Sequence, residues 1–302
     1  MRKVVLVGCG NVGMSYVYAL LNQRTSVDEV VLIDLNKDRV EGEVLDLSHG
    51  LSFSPSKIKF TAGEYSDCHD ADIVVIAAGA NQNPGETRMD LINKNSKIFK
   101  SIVSSVMENG FDGIFLVATN PLDVMTYLTY KYSGMDASKV MGSGTTLDTA
   151  RFRYVVGERL QINPKNIHGY VIGEHGDSEF IPWSITSAGA TKLIDCIPEE
   201  ELYKIEDKVR NAAYEIINKK GATYYGIGMC LARITNAILA DENTIMTVST
   251  YDKEKDCYYG YPSVINRQGI RFRTELELTD EEEQILENSI SVIKEAIESI
   301  EK

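Results

Sequence analysis

The opening of the chain leaves little choice of fold. Lys3 to Val7 is a short apolar run rich in β-branched residues, and it leads straight into Gly8-Cys9-Gly10-Asn11-Val12-Gly13. Such a run ending in glycine reads as a buried parallel strand. Met14 to Gln23 then has helical character, and Glu29 to Asp34 reads as a second strand closed by an acid, 21 positions beyond Gly13. A lone Gly-x-Gly-x-x-Gly is a weak signal. Strand, glycines, helix, strand and terminal acid in that order form the dinucleotide-binding fingerprint. The glycines Gly8, Gly10 and Gly13 let a pyrophosphate approach the helix N-terminus, where unpaired N–H groups and the helix dipole favour an anion. A carboxylate at Asp34 would accept hydrogen bonds from ribose hydroxyls and repel a 2'-phosphate, so NAD is expected rather than NADP.

The alternation continues beyond the fingerprint. Lys57–Ala62, Ala71–Ala78, Gly113–Thr119 and Val140–Gly142 read as further strands, with helices over Lys37–Gly50, Thr87–Asn109 and Pro121–Ser133. Six strands with helices between them predict an α/β, doubly wound parallel sheet over residues 1–143. Ligand groups are then expected at the strands' carboxyl ends, around Gly79-Ala80 and around Ala118-Thr119-Asn120-Pro121. Residues 144–302 read as an α+β substrate domain. A charged amphipathic helix is expected from Glu199 to Lys220, and a glycine-marked break at 221–226 precedes a helical run to Leu239. Three antiparallel strands follow, over Thr244–Tyr251, Cys257–Val264 and Ile270–Leu278. A capping box at Thr279 to Glu282 opens a last helix with apolar residues at 286, 290, 293, 297 and 300 on one face.

A net charge of -13 with no Lys/Arg cluster longer than a pair argues against a nucleic-acid partner. Five cysteines, odd in number and without a Cys-x-x-Cys pair, fit reduced structural thiols rather than a zinc cage, so no metal is expected. No apolar stretch approaches the ~20 residues of a membrane span. The basic start Met1-Arg2-Lys3 is followed by an apolar run that glycines interrupt almost at once. A cytoplasmic, unprocessed protein is expected.

Three stretches carry candidate chemistry. In Ile172-Gly173-Glu174-His175-Gly176-Asp177-Ser178 a histidine sits between two glycines, each flanked by a carboxylate, a placement suited to proton transfer or equally to a surface turn. In Leu147 to Arg153, helical with Thr145 or Thr146 as cap, Asp148 and Arg151 are three apart and share a face. Most often that spacing means a surface salt bridge. Here Asp148 could orient His175 while Arg151 grips a carboxylate bidentately. Arg153, about 200° round from Arg151, looks elsewhere. The third stretch, Gly79 to Arg88, is polar and turn-rich. It reads as a mobile lid, about residues 80–90, that folds over substrate and delivers Gln82 and Arg88.

Together these stretches resemble the L-lactate dehydrogenases of the lactate/malate dehydrogenase superfamily, and the likeness spans essentially the whole chain. The resemblance implies reversible NADH-dependent reduction of pyruvate to L-lactate. His175 would be the proton donor and acceptor, Asp148 its partner, Arg151 the carboxylate anchor and Arg88 the lid arginine. Asn120 would meet the substrate oxygen, and Thr223 would line the pocket. Cofactor contacts would fall on Val12, Asp34, Arg39, Tyr65, Gly79, Ala80, Ser101, Ala118, Asn120 and Ser143. The neutral Gln82 stands where malate enzymes present an arginine, which points to pyruvate. Asn83 departs from the lysine common in similar bacterial lids. Arg153 and His168 match positions that bind fructose 1,6-bisphosphate in allosteric bacterial members, and a homotetramer is the family expectation.

The nearest rival is malate dehydrogenase. A non-catalytic NAD-binding scaffold would be expected to have lost some of these groups. NAD-dependent glycosidases would need a Cys/His metal cluster, and the Tyr127 and Lys131 spacing suggestive of a short-chain dehydrogenase lacks that family's glycine pattern.

Overall fold

The computed structural model describes residues 1–80 and 88–300, without the Arg88 side chain. The expected lid residues Gln82 and Asn83 and the Arg88 guanidinium lie outside the described residues. In chain order the elements begin β1 (Lys3–Val7), α1 (Asn11–Leu21), β2 (Glu29–Ile33), α2 (Lys37–Gly50), β3 (Lys59–Ala62), β4 (Ile73–Ile76), α3 (Arg88–Glu108), β5 (Ile114–Val117), α4 (Leu122–Ser133) and β6 (Val140–Gly142). The second half adds α5 (Thr146–Leu160), β7 (Ile167–His168), β8 (Ser187–Ala188), β9 (Thr191–Lys192), α6 (Glu199–Arg210), α7 (Ala212–Lys220) and α8 (Tyr225–Leu239). It ends with β10 (Thr244–Asp252), β11 (Cys257–Asn266), β12 (Gly269–Arg273) and α9 (Asp280–Glu298).

The first six strands lie in the order β3-β2-β1-β4-β5-β6, all parallel, as a doubly wound sheet requires. β1, β2, β4, β5 and β6 are buried along their whole length, which is why they read as continuous apolar runs without alternation. Ends of the parallel strands are trimmed by a residue or two relative to the sequence reading, whereas β10 and β11 run on to Asp252 and Asn266 and the strand expected over Ile270–Leu278 ends at Arg273.

Two differences matter. First, β10, β11 and β12 do not form a sheet of their own. β10 pairs antiparallel with β6 at Ser249 and Gly142, so the sheet runs on to nine strands among the described residues. The junction is tight enough to demand glycine: a Cβ on Gly142 would lie 2.9 Å from the Ser249 Cβ, and Gly144, at φ +57°, would place one 2.3 Å from the Thr247 carbonyl oxygen. Second, the helix expected over Glu199–Lys220 is broken at Asn211, whose side-chain amide donates to the Asp207 carbonyl at 2.9 Å and to its carboxylate at 2.8 Å. The backbone bonds at Asn211 itself persist, its N–H donating to the Asp207 carbonyl at 2.9 Å and its carbonyl accepting from the Glu215 N–H at 3.1 Å, so the interruption is local.

Both faces of the sheet are covered. On one, α1 and α8 share a core of Tyr16, Val17, Leu20, Leu231, Ile234 and Ile238 with the strands, so residues from both halves of the chain bury one another. On the other, α3, α4 and α9 supply Phe99, Val103, Val106, Leu128, Ile290 and Ile293. The box opening α9 forms as expected, with Thr279 Oγ1 accepting from the Glu282 N–H at 3.2 Å and Glu282 accepting from the Thr279 N–H at 3.0 Å. Cys9, Cys68, Cys230 and Cys257 are buried free thiols, and Cys196 is exposed. No helix among the described residues is long and apolar enough to cross a membrane.

Candidate active site

The loop bearing His175 is closed at its base by a two-way bridge between Ile172 and Phe180, with N–H to O distances of 3.0 and 3.1 Å. A second bridge joins Gly173 to Gly260 of β11, at 3.0 and 2.8 Å. α9 pins the loop from a third side: the Glu174 N–H donates to Ser289 Oγ at 2.8 Å. The glycines therefore serve the protein's own packing. Gly173 has φ +95°, and a Cβ there would meet Ser289 Oγ at 2.5 Å; one on Gly176 would lie 2.9 Å from the Glu174 carboxyl carbon.

α5 brings its polar face to this loop. Thr145 is its N-cap residue, yet its hydroxyl donates to the Val171 carbonyl at 2.6 Å instead of capping the helix, tying the start of α5 to the segment leading into the histidine loop. Asp148, 1% exposed, accepts from His175 Nδ1 at 2.7 Å and from Arg151 Nη1 at 2.7 Å. The sequence-predicted trio of His175, Asp148 and Arg151 is thus assembled. Burial presses the imidazole toward the neutral form, but the Asp148 carboxylate outweighs it and lifts the His175 pKa to about 9. Burial likewise works against the Asp148 charge, and its two cationic neighbours overcome that and hold its carboxyl below the usual range.

Three buried acids stand around the trio; the sequence reading places Glu174 beside the loop glycine, whereas it does not single out Glu179 and Asp123. Glu179 brings its carboxyl within 4.8 Å of the ligating atoms of Asp148 and His175. Burial and the Asp148 charge push its pKa well above the ordinary value, against the opposing pull of His175 and Arg151. Asp123, in the first turn of α4, accepts from the His175 N–H at 2.7 Å and from Ser249 Oγ at 2.5 Å. Burial raises its pKa to about 6 against the opposing pull of those bonds. Glu174 accepts from Ser178 Oγ at 2.6 Å. Asp148, His175 and Glu179 are spaced for a cation, but Asp148 already spends both oxygens on cationic partners.

The expected cofactor residues gather at the carboxyl ends of the strands. Gly8, at φ +106°, follows β1, and a Cβ there would strike Ala78 N at 2.4 Å; Gly10, the N-cap of α1, has open space where a Cβ would stand. That helix has no side-chain cap and no acid in its first turn, leaving its N–H groups for an incoming anion. Val12 and Gly13 lie in its first turn. Asp34, just past β2, accepts from the Cys9 N–H at 2.8 Å and the Asn36 N–H at 3.2 Å, which fixes the carboxylate beside the glycine loop. Gly79 and Ala80 follow β4, Ala118 and Asn120 follow β5, and Ser143 follows β6. Arg39 sits in the first turn of α2, tied to Glu43; Tyr65 follows β3; Ser101 lies on the exposed side of α3. Thr223 is half-buried in the link between α7 and α8. Arg153 turns away from the trio and donates from Nη2 to the Gly169 carbonyl at 3.1 Å, beside the exposed His168. Tyr127 is buried on α4 with the Lys131 ammonium 4.9 Å from its ring centroid, a structural pair.

Residues 2–142 match the NAD-binding domain of the lactate/malate dehydrogenases, and residues 145–302 match their alpha/beta C-terminal domain. This chain belongs to the lactate/malate dehydrogenase family. Within it, the chain is 53% identical to L-lactate dehydrogenase 2 of Bacillus anthracis over 306 residues, covering 98% of this chain and 97% of that one. Among solved structures, a lactate dehydrogenase from a Medee basin deep-sea metagenome library superposes with a TM-score of 0.96 at 48% identity, covering 100% of both chains. The minor L-lactate dehydrogenase of Enterococcus mundtii in its ligand-bound form gives 0.96 at 44% identity, covering 99% of this chain and 98% of that one.

Proposed function

We propose that this family member is an NAD-dependent L-lactate dehydrogenase that reduces pyruvate reversibly to L-lactate, with His175 as the proton donor. One observation carries the reading: a single buried carboxylate, Asp148, holds an imidazole and a guanidinium at 2.7 Å each, so a proton and a carboxylate anchor are presented side by side. When bound, NADH supplies the hydride. Nδ1 of His175 is engaged by Asp148, so Nε2 is the nitrogen that gives its proton to the carbonyl oxygen as negative charge builds there. Arg151 spends one of its N–H groups on Asp148 and keeps others for the substrate carboxylate. Asn120 meets the substrate oxygen, Thr223 lines the far wall, and Arg88 and Gln82 close over the site. The cofactor is held by the glycine loop, Asp34 and the turns at Gly79, Ala118 and Ser143, with Arg39, Tyr65 and Ser101 as outer contacts. Oxaloacetate would carry a second carboxylate into a closed pocket where Gln82 offers no cation, a desolvated charge without a partner.

Fructose 1,6-bisphosphate is the proposed activator. A cleft of about 380 Å³ lined by Arg153, Lys165, Tyr170 and Arg233 offers three cations to an anion. The working assembly in this reading is a cytoplasmic homotetramer. The test is steady-state reduction of pyruvate and of oxaloacetate with NADH, each with and without the bisphosphate. Pyruvate is expected to have the higher kcat/KM, and the bisphosphate to lower its half-saturating concentration. A preference for oxaloacetate would overturn the substrate assignment, and superimposable saturation curves would overturn the activation.

A further inference from the structure

We propose that Asn95 is a positioning residue that ties the turn after β4 to the turn after β5, so that the cofactor-side backbone at Ala80 and the substrate-side residue Asn120 move as one unit.

Asn95 lies on α3, the helix that Arg88 opens, and it is wholly buried. Its neighbours on that face are Ile92, Phe99, Ile102, Val103 and Val106, all buried and apolar. An amide in such a stripe loses its water and stabilises nothing by packing that a leucine would not, so its place must rest on the bonds it makes. Both ends are used, and both reach main chain outside the helix. Oδ1 accepts from the Ala80 N–H at 2.8 Å, and Nδ2 donates to the Asn120 carbonyl at 2.9 Å. The amide can point only one way, because Ala80 N is a pure donor and the Asn120 oxygen a pure acceptor. A second cross-link runs beside it, where Thr119 Oγ1 donates to the Ala78 carbonyl at 2.8 Å. The turns are close enough that a Cβ on Gly79 would lie 2.5 Å from Thr119 Cγ2 and 3.4 Å from Asn95 Oδ1. Asn120 is itself exposed, and three residues on, Asp123 accepts from the His175 N–H. The chain of contacts therefore runs from the edge of the residue 81–87 segment, through Asn95, to Asn120 and the loop of the proton donor.

The proposal rests on Asn120 meeting the substrate, and the experiment separates the two. Asn95→Asp keeps the acceptor for Ala80 but sets a carboxylate against the Asn120 carbonyl oxygen, a clash relieved only when the carboxyl carries a proton. Near neutral pH its kcat/KM for pyruvate is expected to fall about 10-fold or more, and the deficit to shrink as pH is lowered toward about 5. Asn95→Ala, which brings no charge into the core, is expected to lose about 10-fold with a pH profile parallel to the parent, and to speed hydrogen exchange at the Ala80 amide. It keeps the test decisive if Asn95→Asp does not fold. Parent-like kinetics in Asn95→Ala, or an Asn95→Asp profile parallel to the parent, would overturn the proposal. Failure of the parent itself to reduce pyruvate would overturn both this proposal and the reading it rests on.

Discussion

At the residue scale the site turns on how much charge a dry pocket holds. Around His175 stand four buried carboxyls, Asp123, Asp148, Glu174 and Glu179, against the imidazole and the Arg151 guanidinium. Burial and the Asp148 charge raise the Glu179 pKa, and Asp148 holds the imidazole charged through neutral pH. Since the His175 pKa is raised to about 9, pyruvate reduction, which needs the imidazolium, should be sustained from neutral pH and decline as pH rises through that value. Lactate oxidation, which needs the neutral ring, should rise over the same range. Arg151→Lys replaces a planar fork by a point charge and should raise the pyruvate KM by roughly 30-fold, about 2 kcal/mol, measured by steady-state kinetics. His175, Asp148 and Arg151 were legible in the sequence because their types and spacing are unusual together. Asp123 was not: an acid in the first turn of a helix is commonplace, and its role depends on a loop 52 residues away. Asn95 did leave a signal, a lone amide in an apolar stripe at helical spacing.

At the element scale, the loop of His175 is rigid because three elements hold it, namely β11 through Gly260, α4 through Asp123 and α9 through Ser289. Ser289→Ala would leave the buried Glu174 N–H without its acceptor. It should cost about 1–3 kcal/mol in urea denaturation and lower kcat more than it raises KM. Unchanged stability with unchanged kcat would show that α9 does not position the loop. The parallel strands and the capping box of α9 could be read directly, since each is encoded within a few residues. The break at Asn211 could not, because Glu199 to Lys220 keeps helical spacing throughout and the interruption is confined to one residue between α6 and α7.

At the scale of the whole molecule, the sheet that begins with the dinucleotide fingerprint is completed by strands from the other end of the chain, and α8 covers α1 across the same core. Sequence periodicity identified β10 to β12 as antiparallel strands but could not say which edge they would join; that was fixed by contact at Gly142 and Gly144 with Ser249 and Thr247. Residues 1–143 expressed alone should therefore lack a sharp thermal transition and bind a hydrophobic dye, whereas the full chain melts cooperatively; a cooperative melt of the fragment would contradict this. The fold as a whole serves one protonated imidazole. The most direct test is kcat/KM for pyruvate reduction across pH in the parent and in Asp148→Asn. Without that carboxylate, burial of His175 is opposed only by Glu179 and Asp123, so the alkaline decline should move from about 9 to lower pH. A decline at the same pH in both enzymes would contradict the account.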